Sequence, residues 1–293
     1  MYHKDDKCPV CGSKDIRNFI ICKDHFLTGE SFAINECESC TFRFTNPRPV
    51  DAELDKYYDS SEYVSHSHRA SNLIDFIYRI VRQYTLRQKL KLVNSLTDKA
   101  NLLDVGCGTG EFLGVCKQDG WNVQGLEKND RARKQAEKVL ELKIEKELYD
   151  TGRGGEFQVI TLWHVLEHLP ALHDVMTHLK KILAVKGHLI IAVPNHQSYD
   201  AEKYEAYWAG YDIPRHLSHF NQKSLKTLAR LHDFKLKNIL PMNYDAFYIS
   251  LLSEKYKYNR NRYIKSFLTG LKSNRYAKKN NNNYSSLIYI LKK

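Results

Sequence analysis

The residues best suited to chemistry begin with one acid and an alternating glycine run. Residues 101–110 read NLLDVGCGTG, placing Asp104 two positions before Gly106, with Gly108 and Gly110 following. Glycines let a backbone approach a ligand closely, and a helix start presents unpaired N–H groups. Glu127 follows about twenty residues after the loop, the spacing at which an acid meets ribose hydroxyls in nucleotide sites. Asp104, Gly106, Cys107, Gly108, Gly110 and Glu127, with the adjoining Lys128, therefore form a candidate cofactor cradle.

A second constellation is made of thiols. Cys8 and Cys11 sit in CPVCG, and Cys37 and Cys40 in CESC. Two such knuckles joined by a β-like segment (residues 19–21 and 32–34) fit a four-thiolate zinc ribbon. With all four positions filled by sulfur, no coordination site is left for a reactive water, so this zinc is expected to be structural. Cys22 reads as a spare thiol, and Cys107 and Cys116 as small core hydrophobes.

Histidines supply the third. His164 to His168 spell HVLEH, the H-x-x-E-H pattern of a zinc protease helix. Here the pattern starts at a strand end beside a nucleotide loop, so Trp163 and His164 are expected to line the cofactor or acceptor pocket instead. Further on, DIPRHLSHF (212–220) crowds His216 and His219 into an irregular stretch with Tyr199, Tyr207 and Trp208 nearby. That is where the acceptor is expected, with His164, His216 and His219 the candidate catalytic residues. The plainer alternative is that Asp212, Arg215 and the histidines brace a long loop.

The elements that must position these groups alternate. Strands are expected over 102–105, 122–126, 142–144, 157–162, 188–193, 234–242 and 284–291, and helices over 111–118, 129–140, 174–183 and 222–231. Such alternation reads as an α/β sheet with ligands at the carboxyl ends of its strands. Upstream, a helix over 51–58, tyrosines 57, 58 and 63 and the run 65–68 suggest a lid or ribbon-to-core packing. A long amphipathic helix (72–96) then leads into the first strand. The expected domains are a zinc ribbon (1–46), a helical connector and lid (47–98) and the sheet domain (99–293), the last carrying a basic insertion at 251–283.

LLDVGCGTG, with Glu127 closing the second strand, resembles the first two motifs of the class I S-adenosylmethionine-dependent methyltransferases, and the likeness extends over about residues 100–194. It implies a Rossmann-like, seven-stranded methyltransferase sheet whose last strand is antiparallel, with S-adenosylmethionine as cofactor. It also implies methyl transfer to a small-molecule, sugar or glycan acceptor, because sugar methyltransferases with cysteine-rich zinc modules exist in this superfamily. The acid that holds the adenine amino group in many relatives has only weak counterparts here, Glu147 and Asp150. An RNA methyltransferase guided by the ribbon, and a non-catalytic cofactor-binding adaptor, are the alternatives.

Charge bears on that choice. The net charge is +11 over 293 residues, and residues 251–293 alone carry eleven Lys/Arg against one Glu, leaving +1 for the rest. One tail is basic, not the whole protein. Residues 262–276 set Ile264, Phe267, Leu268 and Leu271 against Arg262, Lys265, Lys272 and Arg275, a basic amphipathic helix. The stripe is expected to pack on the sheet or to rest on an anionic membrane. No apolar run suits a secretory signal or a membrane span, so a cytoplasmic location is expected.

Overall fold

The structure, a computed structural model, describes residues 1–58 and 73–293, with side chains over 73–78 left aside. Tyr63 and the run 65–68, invoked above as a lid, lie outside the described residues. Contacts divide the chain into two units: residues 1–58, 164–174 and 192–289, and residues 73–163, 175–191 and 290–293.

A mixed sheet carries the order Lys235–Pro241, Ser286–Lys292, Leu183–Pro194, Phe157–Trp163, Asn101–Val105, Asn122–Leu126. Asn101–Val105 runs parallel to both neighbours. Leu102, Leu103, Val159 and Ile160 are fully buried, so these strands are covered on both faces, as parallel strands are. Six strands are regular. The place expected for a strand at 142–144 is held by a single parallel bridge between Leu126 and Glu145. The long helix is Leu73–Asn94, ending slightly before the expected 96.

In the unit that holds residues 73–163, the helix Glu111–Gln118 begins at Gly110, whose φ of +82° is left-handed. A Cβ there would sit 2.8 Å from Leu140 Cδ1, so glycine is needed both for the turn and for the approach of the helix Asp130–Leu140.

The other unit is built on the ribbon. Ile16–Lys23, Ser31–Cys37 and Arg43–Thr45 form an antiparallel sheet, and Ser218–His219 adds a fourth strand against Arg43 and Phe44. Phe32, Ile34 and Tyr57 share a core with Tyr204, Trp208, Tyr211 and Ile213. Ribbon and loop are thus one hydrophobic body.

At its centre lies Arg215, 1% exposed. Its guanidinium donates to both oxygens of Asp212 (3.0 and 2.6 Å), to Asp24 Oδ1 (3.0 Å) and to the Tyr57 carbonyl (3.1 Å). Asp24 in turn accepts from the amides of Phe26, Leu27 and Thr28, closing the turn that follows the first ribbon strand. The bracing role weighed above for Arg215 and Asp212 is what the structure displays.

The basic insertion folds as an antiparallel pair of helices, Asp245–Tyr258 and Tyr263–Lys279. Packing of the apolar stripe on the sheet is overturned. Ile264, Phe267 and Leu268 are 77%, 56% and 53% exposed, whereas Ser266, Thr269, Gly270, Ser273 and Ala277 are buried. The reason is close approach: a Cβ on Gly270 would lie 2.6 Å from the Phe247 ring, so the small-residue face turns inward. Its polar atoms are satisfied there, Ser273 donating to the buried Asp200 at 2.6 Å.

Arg215→Ala leaves the fully buried Asp24 and the partly exposed Asp212 without their shared cation. It should cost about 3–5 kcal/mol, the scale for removing one partner of a buried ion pair, read as a fall in the urea midpoint. A midpoint within experimental error of wild type would show that the knot is not needed.

Candidate active site

The glycine loop holds its shape through its own amides. Gly106 and Cys107 both donate to the Leu126 carbonyl, at 2.7 and 2.9 Å. Gly108 donates to Glu127 Oε2 at 2.8 Å, and Asn129 donates to Glu127 Oε1, also at 2.8 Å. Each carboxylate oxygen therefore has one amide and keeps a further acceptor direction. Glu127 is half-buried and Lys128 exposed, while Cys107 is buried and its thiol pushed far up by desolvation, so it stays uncharged.

Asp104, 3% exposed, accepts the Thr161 hydroxyl at 2.6 Å. Burial raises its pKa to about 7, against the lowering effect of Thr161 and of the Lys89 charge. Lys89, from the long helix, also sits 4.4 Å over the Trp163 ring, which meets Phe112 edge to face at 5.6 Å. Asp104, the loop, Glu127 and Trp163 are thus brought into one unit. Lys89 was missed: on an amphipathic helix a lysine is indistinguishable from its solvated neighbours until its packing is seen.

The histidines belong to the other unit. His164 has φ +58°, a left-handed conformation uncommon for a residue with a Cβ. Its Nδ1 lies 3.2 Å from Glu167 Oε1 and its Nε2 2.9 Å from Asp245 Oδ2. Burial opposes a charge there, yet the hydrogen bonds to Asp245 and Glu167 lift its pKa to about 10. His164 is therefore an imidazolium at neutral pH. H-x-x-E-H is split in consequence, with His164 turned to Asp245 and Glu167 and His168 in the short turn Leu166–His168.

His216 follows Arg215 directly and is buried; its Nδ1 faces the Gly210 carbonyl at 2.9 Å. Its ring meets that of His168 edge to face, centroids 4.6 Å apart. His219 lies elsewhere, in the strand that completes the ribbon sheet, with Nε2 3.2 Å from the Thr45 hydroxyl. Burial, aided by the His216 charge, holds its pKa well below the ordinary histidine value. Glu167, His168 and Asp245 were not singled out as site residues from sequence, although HVLEH already contained the first two.

The four ribbon sulfurs converge. Cys8 and Cys40 are 3.5 Å apart, Cys11 and Cys37 3.6 Å, and all four lie within 4.8 Å of one another with no disulfide. The Cys40 hydrogen bond lowers the Cys8 pKa to about 5, while Cys40 is raised by that same bond and Cys11 by burial. Without a cation such a cluster tolerates roughly one thiolate; a divalent ion would stabilise all four. The cluster fits zinc by donor type and spacing.

A family model described as a methyltransferase domain matches residues 78–238, more than half of the chain. The chain belongs to this methyltransferase family. A search of curated protein sequences finds no significant match. Among solved structures, the methyltransferase is similar to magnesium protoporphyrin IX methyltransferase from Synechocystis, solved with bound S-adenosylhomocysteine (14% identity, 81% of this chain and 97% of that one, TM-score 0.53). It is similar too to phosphoethanolamine N-methyltransferase 2 from Haemonchus contortus, in complex with S-adenosylmethionine (12% identity, 95% and 68%, TM-score 0.53). A third is an S-adenosylmethionine-dependent methyltransferase from Archaeoglobus fulgidus (17% identity, 72% and 94%, TM-score 0.50). At these identities the likeness establishes the fold. No helix among the described residues is long and apolar enough to cross a membrane.

Asp104 makes stability depend on pH in a definite direction. Its pKa is raised from 3.8 to about 7, so the native methyltransferase holds a proton there that the unfolded chain has lost. Its contribution is full below pH 4 and is lost as pH rises through 7. Asp104→Asn, which cannot ionise, should therefore gain on wild type by on the order of 4 kcal/mol between pH 4 and pH 8. Paired urea titrations at the two pH values measure the difference; a constant gap between the two proteins would refute the assignment.

Proposed function

We propose that the methyltransferase transfers the methyl group of S-adenosylmethionine to a small-molecule, sugar or glycan acceptor. The observation that carries the cofactor assignment is the Glu127 carboxylate, pinned by the Gly108 and Asn129 amides with an acceptor direction left on each oxygen for ribose hydroxyls. Asp104, Gly106, Cys107, Gly108 and Gly110 form the rest of the cradle, with Lys128 at its rim and the Trp163 ring as an apolar wall.

Methyl transfer from a sulfonium is an in-line displacement, so positioning and exclusion of water do most of the work. An acceptor hydroxyl also loses a proton. Among the candidate bases His216 keeps a lone pair, on Nε2, since the nitrogen facing the Gly210 carbonyl must carry the ring hydrogen. His164, already protonated, is a poor base; it positions Glu167. His219 is assigned to the ribbon sheet rather than to catalysis. The ribbon thiolates Cys8, Cys11, Cys37 and Cys40 hold a structural zinc.

For the basic insertion, the exposed Ile264, Phe267 and Leu268 beside Lys265 and Lys272 favour an anionic membrane surface over RNA. Stacking platforms and a phosphate-tracking groove would suit RNA better.

Glu127→Ala should weaken S-adenosylmethionine binding by roughly 2–3 kcal/mol, read by calorimetry. Unchanged affinity would move the cofactor elsewhere. Turnover of the methyl donor with a metabolite extract separates an enzyme from a cofactor-binding adaptor, which would show none.

Phe267→Ser with Leu268→Ser should abolish sedimentation with vesicles containing anionic phospholipid. RNA binding should stay weak, with little difference between two salt concentrations. Sub-micromolar RNA binding that collapses when Lys265, Lys272 and Arg275 are changed to Gln would reverse this ordering.

A further inference from the structure

The four cysteines are not the only group with the geometry of a metal site. One carboxylate oxygen of Glu167 and one ring nitrogen each from His168 and His216 lie within 4.8 Å of one another, in the unit that also holds the ribbon. These residues are neither thiols nor neighbours of the knuckles in sequence. They come together because the turn Leu166–His168 packs beside the loop that carries Arg215 and His216, where the Leu217 amide donates to the Glu167 carbonyl at 2.8 Å.

The donor atoms are prepared for a cation. His216 Nδ1 lies 2.9 Å from the Gly210 carbonyl, and His168 Nδ1 lies 3.1 Å from the Arg215 carbonyl. A carbonyl only accepts, so His216 Nδ1 carries the hydrogen and its Nε2 a lone pair. His168 Nδ1 also lies 3.0 Å from the Tyr58 hydroxyl, and a hydrogen on that nitrogen shared between the hydroxyl and the Arg215 carbonyl gives His168 the same tautomer. Neither Nε2 makes a hydrogen bond among the described residues. Metal-binding imidazoles are oriented in this way, by a backbone acceptor on the far nitrogen.

Glu167 supplies the independent sign. It is 1% exposed, and its Oε2 has no hydrogen-bond partner among the described residues, although Oε1 is held by His164. Burial alone would protonate it, but the hydrogen bond and charge of His164 keep its pKa below the ordinary value, so it remains a carboxylate. A buried anionic oxygen without a donor costs free energy unless something cationic completes it. His164 in turn is oriented by Asp245, which gives the ligand set an outer layer of support.

We propose that Glu167, His168 and His216 bind a divalent first-row transition-metal ion, separate from the ribbon zinc and leaving at least one coordination position open. Two imidazoles and one carboxylate form the ligand set of open zinc and iron(II) sites, whereas a closed structural site takes four protein ligands. Bond lengths of about 2.0–2.2 Å in a tetrahedral shell set ligand atoms roughly 3.4 Å apart, so an edge at the 4.8 Å limit closes by about an ångström or more when the ion binds, a movement side-chain rotation can supply. The open position would take an oxygen ligand, whose pKa the ion would lower. An ion on His216 Nε2 takes up the lone pair assigned above to base catalysis, so in the metal-loaded protein the oxygen at the open position would act as the base instead; the site itself does not depend on which acceptor is methylated.

Cobalt(II) titration of the full chain, purified with zinc in the ribbon, tests it. Wild type is expected to take up one further equivalent with weak visible absorption and no thiolate charge-transfer band. Glu167→Gln and His168→Asn should each weaken that uptake at least about tenfold. Circular dichroism and S-adenosylmethionine affinity report whether the variants remain folded. If either fails to fold, X-ray absorption of the added ion in wild type decides, with two imidazole nitrogens expected in its shell. Uptake of no second equivalent by wild type, a second ion ringed by sulfur, or undiminished uptake in folded variants would each overturn the proposal.

Discussion

The constraint on which the ribbon-bearing unit depends is the burial of one full positive charge. The Arg215 guanidinium has lost its water, and only a fixed arrangement of acceptors replaces it: Asp212 on two atoms, Asp24, and the Tyr57 carbonyl. Each acceptor comes from a different place in the chain. Asp24 fixes the turn after the first ribbon strand, Tyr57 ends the short turn Asp55–Tyr57, and Asp212 begins the loop. A buried pair of this kind adds little net stability compared with apolar packing, but it tolerates few alternative arrangements. His216 inherits that order, because its amide bonds to the Asp212 carbonyl and its ring to the Gly210 carbonyl.

The cysteine knuckles are seated by the same loop. Thr41, at φ +59° just past Cys40, is gripped by Asn221, which donates to its hydroxyl at 2.8 Å. His196 Nε2 also lies 3.2 Å from the Thr41 carbonyl. The Thr45 hydroxyl donates to the His216 carbonyl at 2.8 Å. Order imposed on the knuckles is therefore transmitted over very few bonds to the segment carrying His216. A ribbon used this way differs from one held out on a linker to find a partner.

Legibility in the sequence followed the range of the interactions. The glycine loop and the placement of Glu127 beside it could be read because loop, strand and acid lie within about thirty residues and obey local rules of backbone shape. The two knuckles were equally clear. What could not be read was the pairing of residues 43–45 with 218–219, or of Glu167 and His168 with His216, since no periodicity spans such separations. The basic helix misled for another reason. Its apolar residues have the right spacing for a core face, but Gly270 lets the backbone come so close to Phe247 that the serine and threonine side becomes the buried one. The buried small side chains are then satisfied by hydrogen bonds, Ser273 to Asp200 among them, at the expense of the usual sorting by hydrophobicity.

The strand Ser218–His219, which closes the ribbon sheet on Arg43 and Phe44, has a consequence for synthesis. During translation, residues 16–45 leave the ribosome long before their final neighbour exists. At about 5–20 residues per second, roughly ten seconds or more separate the two. Through that interval the nascent ribbon keeps an open edge and uncovered Phe42 and Phe44, the condition under which strands recruit strangers. Early capture of a metal by the knuckles would give the waiting segment a shape before its last strand arrives, so metal supply should govern the yield of native protein more than its final stability.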